Sequence, residues 1–158
     1  MKKIKLYLDT SVVSALDDPK KPERKQDTHT FWDDVKVGMY EIYLSDVVFK
    51  EINKCNQSKQ DALYRFLNEI EYVSINTNEE IEIIANHIIQ LGILQGKKFD
   101  DCMHIGCSVV SNSDYLVSWN FNDLVNIKTV NGVRAVTNLL KYKSIDIIPP
   151  LMLINKED

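Results

Sequence analysis

Short apolar runs alternate along this chain with longer stretches in which apolar residues recur every three or four positions. The first run, IKLYL at 4–8, reads as a strand and stops abruptly at Asp9. A short helix is expected from about Ser11, whose hydroxyl suits an N-cap. Residues 17–27, DDPKKPERKQD, read as a long charged loop, followed by a helix over about 27–38. YEIYL at 40–44 is a second strand, and Ser45 is placed to cap the helix DVVFKEINKC. A helix over about 58–69 leads to a strand at 71–75. Ile81, Ile84, Ala85, Ile88 and Leu91 then fall at helical spacing within about 78–91. A helix over about 99–111, a strand at 114–118, a helix near 131–142 and a strand at 145–148 complete the series before Pro149-Pro150.

Strands that alternate with helices form βαβ units, so the expected class is α/β with a mainly parallel sheet. Crossovers of one hand put the C-terminal ends of parallel strands on a single edge. Asp9 and the Trp119-Asn120 pair should therefore meet there, where open α/β sheets place their ligand chemistry.

Bulk properties narrow the field. The 158 residues suit one domain spanning 1–158, and 44% apolar with 27% charged residues is ordinary for a soluble globular protein. No apolar run approaches the roughly 18 residues a membrane helix needs. The start MKKIKLYLDT has the basic opening of a signal peptide, but Lys5 and Asp9 interrupt the apolar stretch, so a cytoplasmic protein is expected. Cys55, Cys102 and Cys107 have no CxxC spacing and read as small buried thiols. A net charge of −4 argues against a broadly basic nucleic-acid face, though not against a local basic rim. The chain has no GxxxxGK[ST], GxGxxG, GxSxG or HExxH motif, and Ser11 stands where an aspartyl-phosphate phosphatase would have its second acid.

What remains is a set of acids. Asp101, His104, Ile105 and Ser108 follow the i, i+3, i+4, i+7 spacing of one helix face. With Ile105 on the sheet, Asp101 points towards the sheet edge, and Asp100, about 100° around the helix, should be more exposed. Either acid also suits a first turn simply as a partner of the helix dipole. Glu51 shares a mixed stripe with Val47, Lys50 and Lys54, and a solvated glutamate fits that pattern equally well. Asn120 and Asp123 follow the strand YLVSW, where turn chemistry alone would favour them. No one of these positions decides anything. Together they stand at matching topological places, and gathered carboxylates with too few basic partners call for metal ions.

In order and spacing these segments resemble the PIN domain, the family of metal-dependent ribonucleases that includes the VapC-type toxins. The resemblance runs from Tyr7 to about Ile148. LDTSVV resembles the family's opening hydrophobic-Asp-Thr/Ser segment, and VVFKEI its second-acid helix, with Glu51 in that role. FDDCMHIGCSVV resembles the third-acid helix, often written D-A-x-H-x-A, which aligns Asp101 rather than Asp100. LVSWNFNDL resembles the fourth segment, where the family often has Asp in place of Asn120 and another Asp near Asp123.

The resemblance implies an α/β/α sandwich and an endoribonuclease that uses Mg²⁺ or Mn²⁺. Asp9 would be the central ligand, Glu51 and Asp101 would complete the cluster, and Asn120 or Asp123 would bind directly or through water. Thr10 and Ser11 would hold Asp9 or the metal's water by hydrogen bonds. The KKPERK stretch and Lys97-Lys98 would supply phosphate contacts to an RNA substrate. VapC-like proteins pair with a small antitoxin and form homodimers, with no membrane role. Two alternatives stay open: a PIN-like binding module with weak or lost catalysis, and a nuclease acting on DNA. The apolar tail, with Ile147, Ile148, Leu151, Met152, Leu153 and Ile154, should either fold back over the domain or join a subunit interface.

Overall fold

The sheet is built outward from its first strand. The structure, a computed structural model, describes residues 2–155. β1 (Ile4–Leu8) pairs in parallel with β2 (Tyr40–Ser45) on one side and β4 (Tyr115–Val117) on the other. β3 (Val73–Ile75) extends the sheet beyond β2, and β5 (Asp146–Ile148) extends it beyond β4. The strand order is β3-β2-β1-β4-β5, and every pairing is parallel.

A central parallel strand is covered on both faces, which is why β1 reads as a continuous apolar run. Leu6 and Leu8 join the core beneath α1 (Thr10–Ala15), α2 (Pro22–Lys36), α3 (Asp46–Ile52) and α4 (Gln57–Leu67). Tyr7 joins the opposite core with α5 (Glu79–Gln90), α6 (Phe99–Val110) and α7 (Ile127–Leu140). The architecture is the α/β/α sandwich with a parallel central sheet expected from the sequence. The chain winds outward from β1 through β2 to β3, then returns through α5 and α6 to β4 on the other side of β1. The C-terminal ends of β1 and β4 thus flank the point where the winding reverses, the place where such sheets open a crevice.

Three local expectations need correction. Ser11 is not the cap of α1; Asp9 is, its Oδ1 accepting the Ser11 N–H at 3.0 Å. The stretch read as a loop over 17–27 is helical from Pro22. Proline at a first helical position is pre-set for the helix and loses no needed N–H, so it marks a start here, and the charged residues behind it are good helix formers. α7 begins at Ile127, capped by the Asn126 side chain, rather than near 131. The tail folds back on its own chain. A 3₁₀ turn at Pro150–Leu153 packs against α2, Leu153 and Ile154 join the α2-side core, and Leu151 and Met152 stay exposed.

α6 is held close to α5 by Gly106. A Cβ there would lie 2.8 Å from the Ile81 carbonyl oxygen and 3.0 Å from its Cγ2. Gly106→Ala is therefore expected to destabilise the fold by about 1–3 kcal/mol, as overpacking against backbone does. Urea unfolding checks this, and an unchanged midpoint would show that the helices separate freely.

Candidate functional site

Asp9 caps α1 from the end of β1 and is 3% exposed. Both of its oxygens accept hydrogen bonds, and Oδ2, with one, keeps a free acceptor position. Oδ1 accepts from the Ser11 N–H and hydroxyl, and Oδ2 accepts from the Ser118 hydroxyl at 2.7 Å. Ser118 directly follows β4, opposite Asp9 across the β1–β4 pairing, where the Asp9 N–H also reaches the Val117 carbonyl at 3.2 Å. Trp119 donates its N–H to the Ser11 hydroxyl at 2.9 Å. The two strand ends are thus stitched together around one carboxylate.

Glu51 reaches the same crevice from the last turn of α3. Its Oε1 accepts from the Thr10 hydroxyl at 2.8 Å and lies 2.6 Å from His104 Nε2. The other ring nitrogen of His104, Nδ1, lies 2.7 Å from the Tyr7 hydroxyl, which lies 2.7 Å from the Ser45 hydroxyl. Ser45 in turn accepts the Val47 N–H at 3.2 Å. With the ring neutral and its proton on Nε2, each member donates once: Val47 to Ser45, Ser45 to Tyr7, Tyr7 to His104, and His104 to Glu51; with the ring charged, Nδ1 donates to the Tyr7 hydroxyl, which donates to Ser45. In the neutral form the run ends on a carboxylate and leaves no buried donor idle.

Asp101 enters from the first turn of α6, half-buried, with no side-chain hydrogen bond among the described residues. Burial pushes its carboxyl up, and Asp123, Asp9 and Glu51 add to this against the opposing pull of His104, bringing it to about 6. Burial likewise raises Asp9, although His104, Ser11 and Ser118 counter part of that. Burial also acts upward on Glu51, but the hydrogen bond and charge of His104 and the Thr10 hydroxyl outweigh it, and the carboxyl sits below its ordinary value. His104 is the mirror case. Burial alone would lower it, but the Glu51 hydrogen bond and the charges of Asp9, Glu51 and Asp101 hold it raised.

Asp123 pairs with Lys98 at 3.1 Å and acts electrostatically on Asp101. Asn120 uses its side-chain oxygen locally, accepting the Asp123 N–H at 3.1 Å, the turn chemistry its position allows. Asp100 is half-buried too, but it opens on the other flank of α6, in a pocket with Asp46, Lys50, Thr77 and Glu82.

The structure therefore brings Asp9, Glu51 and Asp101 into one electrostatic neighbourhood, with Asp123 beside Asp101 and Asn120 next to Ser118. Thr10 holds Glu51, whereas Ser11 holds Asp9. Among the described residues, no three His, Cys, Asp or Glu groups form a ready-made metal cage. The donor set is nevertheless one of hard oxygens facing few cations, which fits Mg²⁺ or Mn²⁺ rather than zinc. The sequence reading left Ser118, Tyr7 and His104 without a role. Ser118 carried the same signal as Asp9, a polar residue just past a buried strand. His104 lies three residues after Asp101 on the same face.

No family model matches the chain, and no curated protein matches it. Among solved structures, the crystal structure of VapBC2 from Rickettsia felis bound to a DNA fragment from their promoter is similar to it. The TM-score is 0.56 and the identity 13%, over 92% of this chain and 98% of that one. The likeness is one of fold: the chain has a PIN-like, VapC-like architecture. Among the described residues, no helix is long and apolar enough to cross a membrane.

Proposed function

We propose that this chain is a metal-dependent endoribonuclease of the PIN type, acting on unpaired RNA. The observation that carries the reading is the Asp101 carboxyl. It is half-buried among Asp9, Glu51 and Asp123, driven up to about 6, and placed at the reversal point of a PIN-like sheet. An acid held in a crevice where burial and neighbouring carboxylates oppose its charge supports a functional role for it.

Asp9, Glu51 and Asp101 would hold the ion, with Asn120 or Asp123 as the further oxygen donor. Bound there, Mg²⁺ or Mn²⁺ supplies a Lewis acid that makes water nucleophilic at neutral pH and offsets the charge of the phosphodiester. The chain's own part is positioning. Ser11 and Ser118 fix both oxygens of Asp9, Thr10 and His104 fix Glu51, and Lys98 restrains Asp123. Such supports keep ligand oxygens oriented before the ion arrives.

The deciding experiment incubates purified protein with single-stranded RNA, single-stranded DNA and duplexes, with Mg²⁺, Mn²⁺ or EDTA. RNA cleavage that requires the divalent ion supports the reading. Equal cleavage of DNA makes the protein a general nuclease, and ion binding without cleavage makes it a PIN-like binding module. The fold shared with VapC also leads us to propose a small antitoxin partner and a homodimer, which co-expression with the neighbouring reading frame and light scattering would test.

An ion that binds only the folded state stabilises it by mass action. Millimolar Mn²⁺ is therefore expected to raise the melting temperature, and Asp9→Asn to remove most of the rise. The variant keeps an oxygen for capping α1, so it should still fold. An equal rise in the variant would place the ion elsewhere.

A further inference from the structure

We infer that the loop between β4 and α7 is the platform on which an unpaired nucleic-acid strand lies, with a base stacked on Phe121 and a neighbouring phosphate held by Lys97, Lys98 and Lys128. This rests on the nuclease reading above and adds to it the residues that hold the substrate. Phe121 is 40% exposed, one residue beyond Asn120 and three beyond the serine that holds Asp9. Its ring stands 6.2 Å from that of buried Trp119, and the Arg24 guanidinium lies 5.3 Å from both ring centroids. An exposed aromatic face backed by a second ring and a planar cation suits a nucleobase, because every base offers a π-face to stack on either group.

The loop is rigid for its size. Leu124 and Val125 donate their N–H groups to the Asn120 carbonyl at 3.0 and 2.9 Å. The Asn126 amide donates to the carbonyls of Phe121 and Asn122 at 3.2 and 2.9 Å. The backbone carrying Phe121 is thus fixed, and the ring rests against Trp119 and Arg24, so a stacking partner has little ordering entropy to overcome.

On the other flank of the same loop is a polar pocket of about 370 Å³, lined in part by Lys97, Lys98, Lys128, Asn122 and Asn126. Asp123 also lines it, but its charge is met by Lys98 at 3.1 Å. Lys97 and Lys128 form no ion pair among the described residues. The pocket therefore keeps an excess of positive charge in a protein whose net charge is −4. Phe121 and Asp123 are two residues apart, at most about 7 Å of chain. A strand with its base on Phe121 and its backbone entering the lysine pocket would cross directly over Asn120 and Asp123. Unpaired strands are favoured over duplexes because a paired base cannot present its face.

The test is fluorescence anisotropy in EDTA, where no cleavage occurs, using short labelled oligonucleotides: unpaired RNA, unpaired DNA of the same sequence, and the duplex. The wild type should bind the unpaired strands and prefer them to the duplex; the RNA and DNA arms show whether the 2′-hydroxyl contributes. Phe121→Ala should weaken binding about five- to a hundredfold, as loss of one stacked base does, without changing the salt slope. Phe121→Trp should restore it. Lys97→Ala with Lys128→Ala should weaken binding and reduce the slope of log K against log salt by about 0.7, the value for one phosphate contact on a single strand. All these side chains are exposed, and melting curves confirm that the variants fold. Absent wild-type binding, variants that bind like the wild type, or an equal preference for duplex each overturn the platform. Parallel assays with Mn²⁺ separate the two readings. Cleavage with KM unchanged in the variants leaves the nuclease and removes the platform, whereas binding lost in the variants with no wild-type cleavage leaves the platform and removes the nuclease.

Discussion

Asp101→Asn is expected to abolish RNA cleavage, by 10²–10³-fold or more on the scale of losing a main transition-state stabiliser, and at the same time to make the metal-free protein more stable. Both effects have one cause. The Asp101 carboxyl ionises in the folded protein only near pH 6, against an ordinary value of 3.8, because burial and the neighbouring acids oppose its charge. The folded state therefore binds more protons than the unfolded state between those two values, and stability falls as pH rises through that window. Above it the full cost remains. Below about pH 4, where the acid is protonated in both states, the cost is absent. Since the residue is only half-buried, the cost at neutral pH is discounted for solvent screening to about 1–2 kcal/mol. Asparagine carries no charge and removes it, raising the metal-free melting temperature by a few degrees at pH 7.5 and by nothing at pH 4. Scanning calorimetry at the two pH values, beside an RNA cleavage assay, reads both halves. Asp100→Asn is the internal control: it faces Asp46, Lys50 and Glu82 and should keep most activity. An inactive Asp100→Asn with an active Asp101→Asn would mean that the catalytic face of α6 is the other one. Full activity in both would remove the metal-nuclease proposal.

The parts of this molecule legible from sequence are those that follow from periodicity and strand ends. IKLYL read as an apolar strand ending at Asp9, and polar residues just past β1 and β4 had to meet on one edge of a parallel sheet. Element type was readable throughout, and boundaries failed where a single residue carried two meanings. Pro22, read as a loop breaker, opens α2, and Ser11, read as a cap, donates its hydroxyl to the true cap, Asp9. The candidate site was legible as a set of acids but not as a network. Nothing in the spacing of Tyr7, Ser45 and His104 shows that three different elements meet end to end, because that depends on how closely α6 approaches the sheet. The same holds for Arg24, which read as part of a solvated loop and instead rests against Trp119 and Phe121. Long-range side-chain pairings are set by packing, and packing is the level at which a single sequence says least.

The second large effect concerns that network. His104→Ala is expected to destabilise the protein by about 3–4 kcal/mol and to reduce cleavage as well. The ring is 2% exposed and, among the described residues, joins Glu51 to Tyr7. Removing it leaves a cavity, an unsatisfied buried tyrosine hydroxyl and a carboxylate stripped of its partner, and breaking such a buried pair costs about 3–5 kcal/mol. The lower part of that range applies because the Glu51 side chain is 32% exposed and keeps its Thr10 hydrogen bond. Tyr7→Phe removes only the hydroxyl and should cost about 1–2 kcal/mol, the price of leaving His104 Nδ1 and Ser45 short of a partner. The two should not add. On the His104→Ala background, removing the Tyr7 hydroxyl no longer costs the contact with the ring, so a cycle of the four proteins is expected to show at least about 0.5 kcal/mol of coupling. pH provides an independent reading. His104 is raised in the folded state, so the stability it contributes is complete below its ordinary value of 6.5 and declines as pH rises through the higher folded value. The gap between wild type and His104→Ala should therefore narrow on the alkaline side of neutrality. Urea midpoints that coincide at pH 6, or variants whose costs simply sum, would show that Tyr7, His104 and Glu51 are neighbours in space without acting as one unit.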